Sequence, residues 1–385
     1  MKVYLDNGAT SYPKPQCVYN SIYDYMTQVG SNVGRGASSS SLKGNQLIFE
    51  ARDAISSFFN FDKIENVIFT PNITYSLNTL IGGCVQKGWH VITSVMDHNS
   101  TLRPLHKLQK EGTIELDIID ADANGFIKLD ELKSKIKSNT KLIVLSHASN
   151  VIGSIQPLKE VGSICKDNNI FFIIDSAQSA GCINVDFKEL NCSALAFTGH
   201  KSLFGPQGTG GFLINDELNE ICLPLIEGGT GSASSDVYQP TFMPDKFESG
   251  TMNAPGIAGL LAGIKFIENE GLTTIKEHED YLAKKFIDGL LNINSINLYG
   301  SKETFNRTPS ISVNSSKIDN SELGFLLDSE YGIITRTGLH CAPLAHKAVG
   351  SYPNGSLRFS LGYFNDDKDI DYTLSALNKI LSKLK

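Results

Sequence analysis

Several protein classes are excluded by what the sequence lacks. It has no apolar run of the roughly 18–20 residues that span a bilayer, so no membrane association is expected. It opens MKVYLDNGAT, with neither a basic stretch nor an apolar one behind it. A secretory leader is therefore not expected, and a cytoplasmic location is. Lys and Arg number 34 against 41 Asp and Glu, a formal charge of −7. With no basic excess or run, and no aromatics interleaved with basic residues, nucleic acid is not an expected partner. The seven cysteines include no CxxC pair, which argues against a disulfide framework or a zinc knuckle, and no metal site is expected. An odd, unpaired set raises the question of whether one thiol is special. There is no GxxxxGK[ST] phosphate loop either, and the glycines at 208–211 sit in a GTGG turn, so nucleotide binding is a weak reading.

What remains is an ordinary globular composition, 41% hydrophobic over 385 residues. That length buries a sizeable core without staples and allows two or three domains at about 150 residues each. Short apolar runs alternate with helical patterns: Val67–Thr70, Val91–Thr93, Leu142–Leu145, Phe171–Ile174, Ala194–Phe197 and Gly211–Ile214. Continuous apolar strands separated by helices point to a mainly parallel sheet sandwiched by helices, an α/β layer over about 15–255. From 256 to 385 helix and strand signals mix, and the last helix carries Ile370, Leu374, Leu377, Leu381 and Leu384 on one face. This reads as a smaller α+β domain, joined by residues 1–14.

One motif is a trap. Asp120, Asp122, Asn124, Gly125 and Glu131 fit the calcium-loop spacing of an EF-hand. Such a loop needs a helix before it, and Thr113–Ile119 alternates like a strand instead. A strand-to-helix turn is the better reading.

The chemistry lies at the strand ends, where α/β sheets hold ligands. Lys201 follows the strand Ala194–Phe197, flanked by Thr198, Gly199 and His200. Asp175 ends Phe171–Ile174, where a buried carboxylate needs a cationic or hydrogen-bonding partner. A strand, a polar turn and a helix start at Phe69–Tyr75 offer free amides to a phosphate. His98 and Asn150 leave two further strands. Together these would hold a phosphorylated pyridine aldehyde.

The ordered set resembles the class V aminotransferase family of fold-type I pyridoxal-phosphate enzymes, from Tyr4-Leu-Asp6-Asn-Gly-Ala9-Thr10 to the last helix. Within it, the chain is most similar to SufS-like cysteine desulfurases and selenocysteine lyases. The resemblance implies pyridoxal 5'-phosphate as cofactor, carried on Lys201. It implies that Asp175 pairs with the pyridine nitrogen, that His98 stacks on the ring, and that Gln178 and Asn150 contact the ring's surroundings. Thr74, Thr198 and His200 would hold the phosphate with backbone help from Ile73. Thr251, in Phe247-Glu-Ser-Gly250-Thr251, would reach the phosphate of the other subunit of a homodimer.

The reaction is indicated by Thr335-Arg336-Thr337-Gly338-Leu339-His340-Cys341, similar to the loop that carries the desulfurase nucleophile. A thiolate is favoured beside Arg or a protonated His, and Arg336 and His340 are close in sequence. The other six thiols read as small buried hydrophobes. Arg358 resembles the arginine that clamps the substrate carboxylate, Arg336 is implied at the substrate as well, and Asn32 and Arg35 resemble a substrate loop. The implied activity is sulfur removal from L-cysteine, giving L-alanine and a Cys341 persulfide that passes to a sulfur-acceptor protein, with His98 moving a proton. L-selenocysteine lyase activity, another class V activity of the aminotransferase kind, and a non-catalytic scaffold are the competing readings. Iron–sulfur assembly, tRNA thiolation and selenium recycling are all outlets for the product.

Overall fold

The computed structural model describes residues 2–34, 38–232 and 235–384. Its strands are β1 (Val3–Tyr4), β2 (Val67–Thr70), β3 (Trp89–Ser94), β4 (Ile114–Ile119), β5 (Thr140–Ser146), β6 (Phe171–Asp175), β7 (Ala194–Thr198), β8 (Gly210–Ile214), β9 (Ile296–Tyr299), β10 (Ser310–Ser315), β11 (Ile333–Ile334), β12 (Arg336–Gly338) and β13 (Ser356–Ser360). The main α-helices up to residue 221 are α1 (Gln16–Asp24), α2 (Ser39–Phe58), α3 (Ile73–Cys84), α4 (Asn99–Lys110), α5 (Leu129–Lys135), α6 (Leu158–Asp167) and α7 (Asp216–Ile221). Beyond these lie α8 (Ala254–Glu270), α9 (Leu272–Leu291), α10 (Asn320–Tyr331), α11 (Pro343–Ala348) and α12 (Asp367–Lys383).

Seven strands form the main sheet in the order β2-β8-β7-β6-β5-β3-β4. All run parallel except β8, which is antiparallel to both β2 and β7. The reason is local: only residues 199–209 separate β7 from β8, too few for a crossover helix. The interior strands are buried on both faces, β7 and β8 along their whole length. That explains their unbroken apolar runs. One buried cluster joins α2, this sheet and α8 through Ile55, Phe197, Leu260 and Ile264.

A second sheet, β12-β13-β10-β9, is antiparallel throughout. It has its own core, in which Phe286 of α9, Leu323 of α10 and Leu377 of α12 pack with Phe359. The N-terminal strand β1 pairs with β11, and Asp6 bridges to Ser360 of β13. The opening residues are thereby stitched to the C-terminal sheet, although Ser11 donates to carbonyls beside β7.

The calcium-like segment is a turn, as its strand-like lead-in indicated. It follows β4, Gly125 takes φ 77°, and Asp122 Oδ1 accepts from the amides of Asn124 and Phe126. Glu131 accepts from the Asp120 amide and pairs with Lys135. Among the described residues no helix is long and apolar enough to cross a membrane.

Candidate active site

The C-terminal ends of β3, β5, β6 and β7 converge with the start of α3, the Cys341 loop and β13. Each element delivers one group. Asp175 is the last residue of β6 and is buried. The Ala177 amide donates to its Oδ1 at 2.9 Å. Burial pushes its carboxyl up to about 6, opposed by that amide and by Lys201, while Asp97 adds to the rise. Such a carboxylate is suited to a protonated ring nitrogen. Lys201 follows β7. Burial brings its amine from 10.5 down to about 8; Asp175 opposes this, and Arg358 and Arg336 add to it. A lysine so placed is partly neutral near pH 7, as a base or a carbonyl nucleophile must be.

The turn that carries Lys201 is pinned from the N-terminal segment. Thr10 Oγ1 and the Ser11 amide each donate to the His200 carbonyl at 3.0 Å, and Ser11 Oγ donates to the Lys201 carbonyl at 2.8 Å. Lys14 Nζ donates to the same His200 carbonyl at 2.8 Å. Burial lowers the Lys14 amine to about 7.

The residues fit pyridoxal phosphate. Thr198 Oγ1 and His200 Nδ1 are buried without a hydrogen-bond partner among the described residues, as expected of groups that await an anion. Asn72 caps α3 by accepting from the Tyr75 amide. The Ile73 and Thr74 amides stand at the helix N-terminus, where a phosphate is favoured. Gly210 lets β8 pass this turn, because a Cβ there would lie 2.9 Å from Asn72 Cα. His98 caps α4, with Ser100 N–H donating to Nδ1 at 3.1 Å. Its proton is therefore on Nε2, and burial with Lys201, Arg103 and Arg358 lowers the imidazole to about 4.

Cys341 is exposed. It and His340 adopt the left-handed region, with φ 58° and 47°, which is strained for side chains of this kind. Two bonds hold the turn there. The Asn99 amide donates to the Cys341 carbonyl at 2.8 Å, and Asn150 Nδ2 donates to the His340 carbonyl at 2.6 Å. The thiol is thus tied to the residue next to His98. Gly355, with φ 72°, makes room at the loop's base, since a Cβ would lie 2.3 Å from the Gly338 backbone. Arg358 is buried, donates from Nη1 to the Asn150 carbonyl and from Nη2 to Asp6, and keeps Nε without a partner.

Several sequence expectations change here. Asn150 is committed to the cysteine loop, and Gln178 Nε2 to the Gly8 carbonyl at 3.0 Å. Each side chain keeps its second N–H and its carbonyl oxygen outside these bonds. His340 gives Cys341 no positive neighbour: burial, aided by Arg358, His346 and Arg336, drives its imidazole down to about 2. His98 has its Nδ1 lone pair occupied by the Ser100 amide, which leaves the other ring nitrogen, Nε2, to meet a ligand. Cys17 is exposed on α1, unlike the five buried thiols at 84, 165, 182, 192 and 222. Thr251 is exposed and lines a cleft with Pro71, Tyr75 and Gly208. Asn32 is exposed before α2, and Arg35 lies outside the described residues. Sequence reasoning missed Asp6, Asp97 and Asn99 as supports. Asp6 alone had a signal, standing inside the recognised opening motif.

The Aminotransferase class-V family model matches residues 3–373. A probable cysteine desulfurase of Pyrococcus abyssi is 34% identical, with 100% of this chain and 95% of that protein aligned. The apo structure of a cysteine desulfurase from Thermococcus onnurineus NA1 superposes with a TM-score of 0.94 at 32% identity, covering 100% of this chain and 95% of that one. The S-sulfonic acid form of the Escherichia coli cysteine desulfurase CsdA gives 0.90 at 25% identity, covering 100% and 96%.

Proposed function

The chain belongs to the class-V aminotransferase family, and from that premise we propose that it is a cysteine desulfurase. It would convert L-cysteine to L-alanine and leave the sulfur as a persulfide on Cys341. The observation that carries this reading is the exposed Cys341, whose turn is held by the amide of Asn99, next to His98, and by the side chain of Asn150.

Pyridoxal phosphate, when bound, supplies the electron sink that loosens the Cα proton and the Cβ–S bond. The chain's own residues do the rest. Thr198, His200 and the start of α3 would hold the phosphate, and Asp175 would pair with the ring nitrogen. The Nε–H of Arg358, without a hydrogen-bond partner among the described residues, would receive the substrate carboxylate. Lys201, with its lowered proton affinity, takes the Cα proton and returns it. His98 covers the ring and offers its Nε2–H. The Cys341 thiolate attacks the substrate sulfur: a sulfur–sulfur bond forms, the Cβ–S bond breaks, and its electron pair stays with the carbon, which takes a proton to become alanine. The compact loop from Arg336 to His346 supports handing the sulfur to an acceptor protein, and L-selenocysteine is the chemically closest second substrate. The exposed Thr251 supports a homodimer in which it reaches the partner's phosphate site.

The test is direct. Holoenzyme given L-cysteine should yield alanine and a Cys341 peptide heavier by one sulfur atom. Alanine formed at the full rate without any such adduct would refute the persulfide step. Rates on L-cysteine and L-selenocysteine, compared side by side, rank the two substrates.

A further inference from the structure

Asp97 follows β3, is fully buried, and has no role in the chemistry above. Its carboxylate accepts four hydrogen bonds. Oδ2 accepts from Thr93 Oγ1 at 2.9 Å and from both the amide and the hydroxyl of Ser94 at 2.7 Å. Oδ1 accepts from the Ser146 amide at 2.5 Å. Two of these donors are backbone amides, which can only donate. Each carboxyl oxygen thus faces one amide that can only donate, and the two hydroxyls beside them are placed as donors as well. Burial raises the proton affinity of Asp97 above the ordinary carboxylate value, and these bonds oppose that rise. The site is built from donors, which favour the carboxylate form, and among the described residues no cation pairs with it.

Its location gives the anion a purpose. Ser146, which donates to Oδ1, lies directly across from Asp175 in the parallel β5–β6 pairing. Neighbouring strands are about 4.8 Å apart. The Asp97 charge thus stands one strand from the carboxylate at the floor of the site, where it opposes Lys201 in its effect on Asp175. The remaining titratable groups at these strand ends, His98 and His147, are kept neutral by burial. A turn needs no charge to hold it, since a serine or asparagine cap would serve.

We propose that Asp97 is a positioning residue: a buried anion that acts through Asp175 to keep the proton on the pyridine nitrogen of the bound cofactor. The proposal rests on the cofactor reading and on no part of the sulfur chemistry.

The experiment uses holoenzyme loaded with pyridoxal phosphate labelled with nitrogen-15 in the ring, whose chemical shift reports protonation as pH is varied. Asp97→Asn removes the charge and keeps the shape; Asp97→Glu restores a charge. The pH at which the nitrogen loses its proton should fall by about one unit in the Asn variant, a tenfold change, and recover in the Glu variant. An unchanged midpoint in the loaded Asn variant overturns the proposal. Should that variant fail to fold or load, carbon-13 spectra of the parent labelled at aspartate carboxyls decide, with the Asp97 signal assigned by its loss in the Glu variant. An ionised Asp97 at pH 6 supports the proposal, and a protonated one overturns it. A parent that takes up no cofactor, seen as no visible absorbance, would remove the cofactor reading and this proposal together.

Discussion

Asp6 Oδ1 accepts a hydrogen bond from Nη2 of Arg358 at 3.0 Å. The same carboxylate pairs with Nε of Arg336 through Oδ2 at 3.1 Å. The two arginines are directly opposed across β12 and β13, and like charges in that position repel. Asp6 resolves the conflict, because its own backbone is tied to β13 at Ser360. One carboxylate thus holds two guanidinium groups and leaves the buried Arg358 with an unused Nε–H for substrate.

Asp6→Asn should therefore act on binding before chemistry. Hydrogen bonds to charged groups contribute about 1.5–3 kcal/mol, and 1.4 kcal/mol is tenfold in an equilibrium constant. The KM for L-cysteine should rise about tenfold or more, with kcat changed less. Steady-state kinetics on the loaded variant measure this. A fall in kcat at constant KM would show that Asp6 does not set the carboxylate clamp.

Lys201 and Cys341 should separate cleanly. Lys201→Ala removes the amine proposed to carry the cofactor, so the protein's visible absorbance should vanish or shift. Cys341→Ala leaves the Lys201 pocket intact and should keep that absorbance while sulfur release from L-cysteine falls by several orders of magnitude. Both readouts come from one pair of purified variants. Full desulfuration by the Cys341 variant would eliminate the exposed thiol as nucleophile.

Glu279 gives a prediction about stability. It is buried on α9, with Cys182 Sγ 3.5 Å from Oε2. Burial raises its carboxyl to about 8, which Cys182 and Lys276 oppose and Asp280 supports. The folded protein therefore holds a proton there that the unfolded chain has released above about pH 4.5. Stability should fall as pH rises between roughly 4.5 and 8, by at most about 1.4 kcal/mol per pH unit from this group. Glu279→Gln cannot lose that proton. Its denaturation midpoint, compared with the parent at pH 5, 6.5 and 8, should gain steadily on it. Parallel curves would place Glu279 outside the titration.

How much of this was legible depended on how far apart the partners stand in the chain. Lys201, Asp175 and the α3 start were readable because each follows its own apolar strand, and sheet ends are where ligands bind. The reversed β8 was obscured because its apolar run looks like any other, and only the short 199–209 connection betrays it. The supports were hidden for a different reason. Asp6 meets Arg358 across most of the chain, and nothing near Asn99 announces that its amide will hold Cys341. Asn150 stands where sequence placed it, but its amide turns to the cysteine loop because the His340 carbonyl, exposed by a left-handed turn, needs a donor there.

The last prediction concerns how that turn is held. Val151 contributes only a carbonyl, so Ser312 Oγ must donate to it, at 2.6 Å. Ser312 Oγ then accepts from Ser356 Oγ at 2.9 Å. With its hydrogen used, Ser356 Oγ accepts from Nε2 of His340 at 3.1 Å. Direction propagates along the chain of bonds and fixes the tautomer of His340, with its proton on Nε2 and an imidazole kept neutral by burial. Ser356→Ala leaves that N–H buried without an acceptor, which costs about 1–3 kcal/mol. The peg beneath the strained Cys341 turn should loosen, so the denaturant midpoint should fall and persulfide formation should slow while the visible absorbance stays. Ser356→Thr keeps the hydroxyl and should recover part of both. Equal loss in the Ala and Thr variants would trace the effect to packing around Ser356 and not to the hydrogen bond.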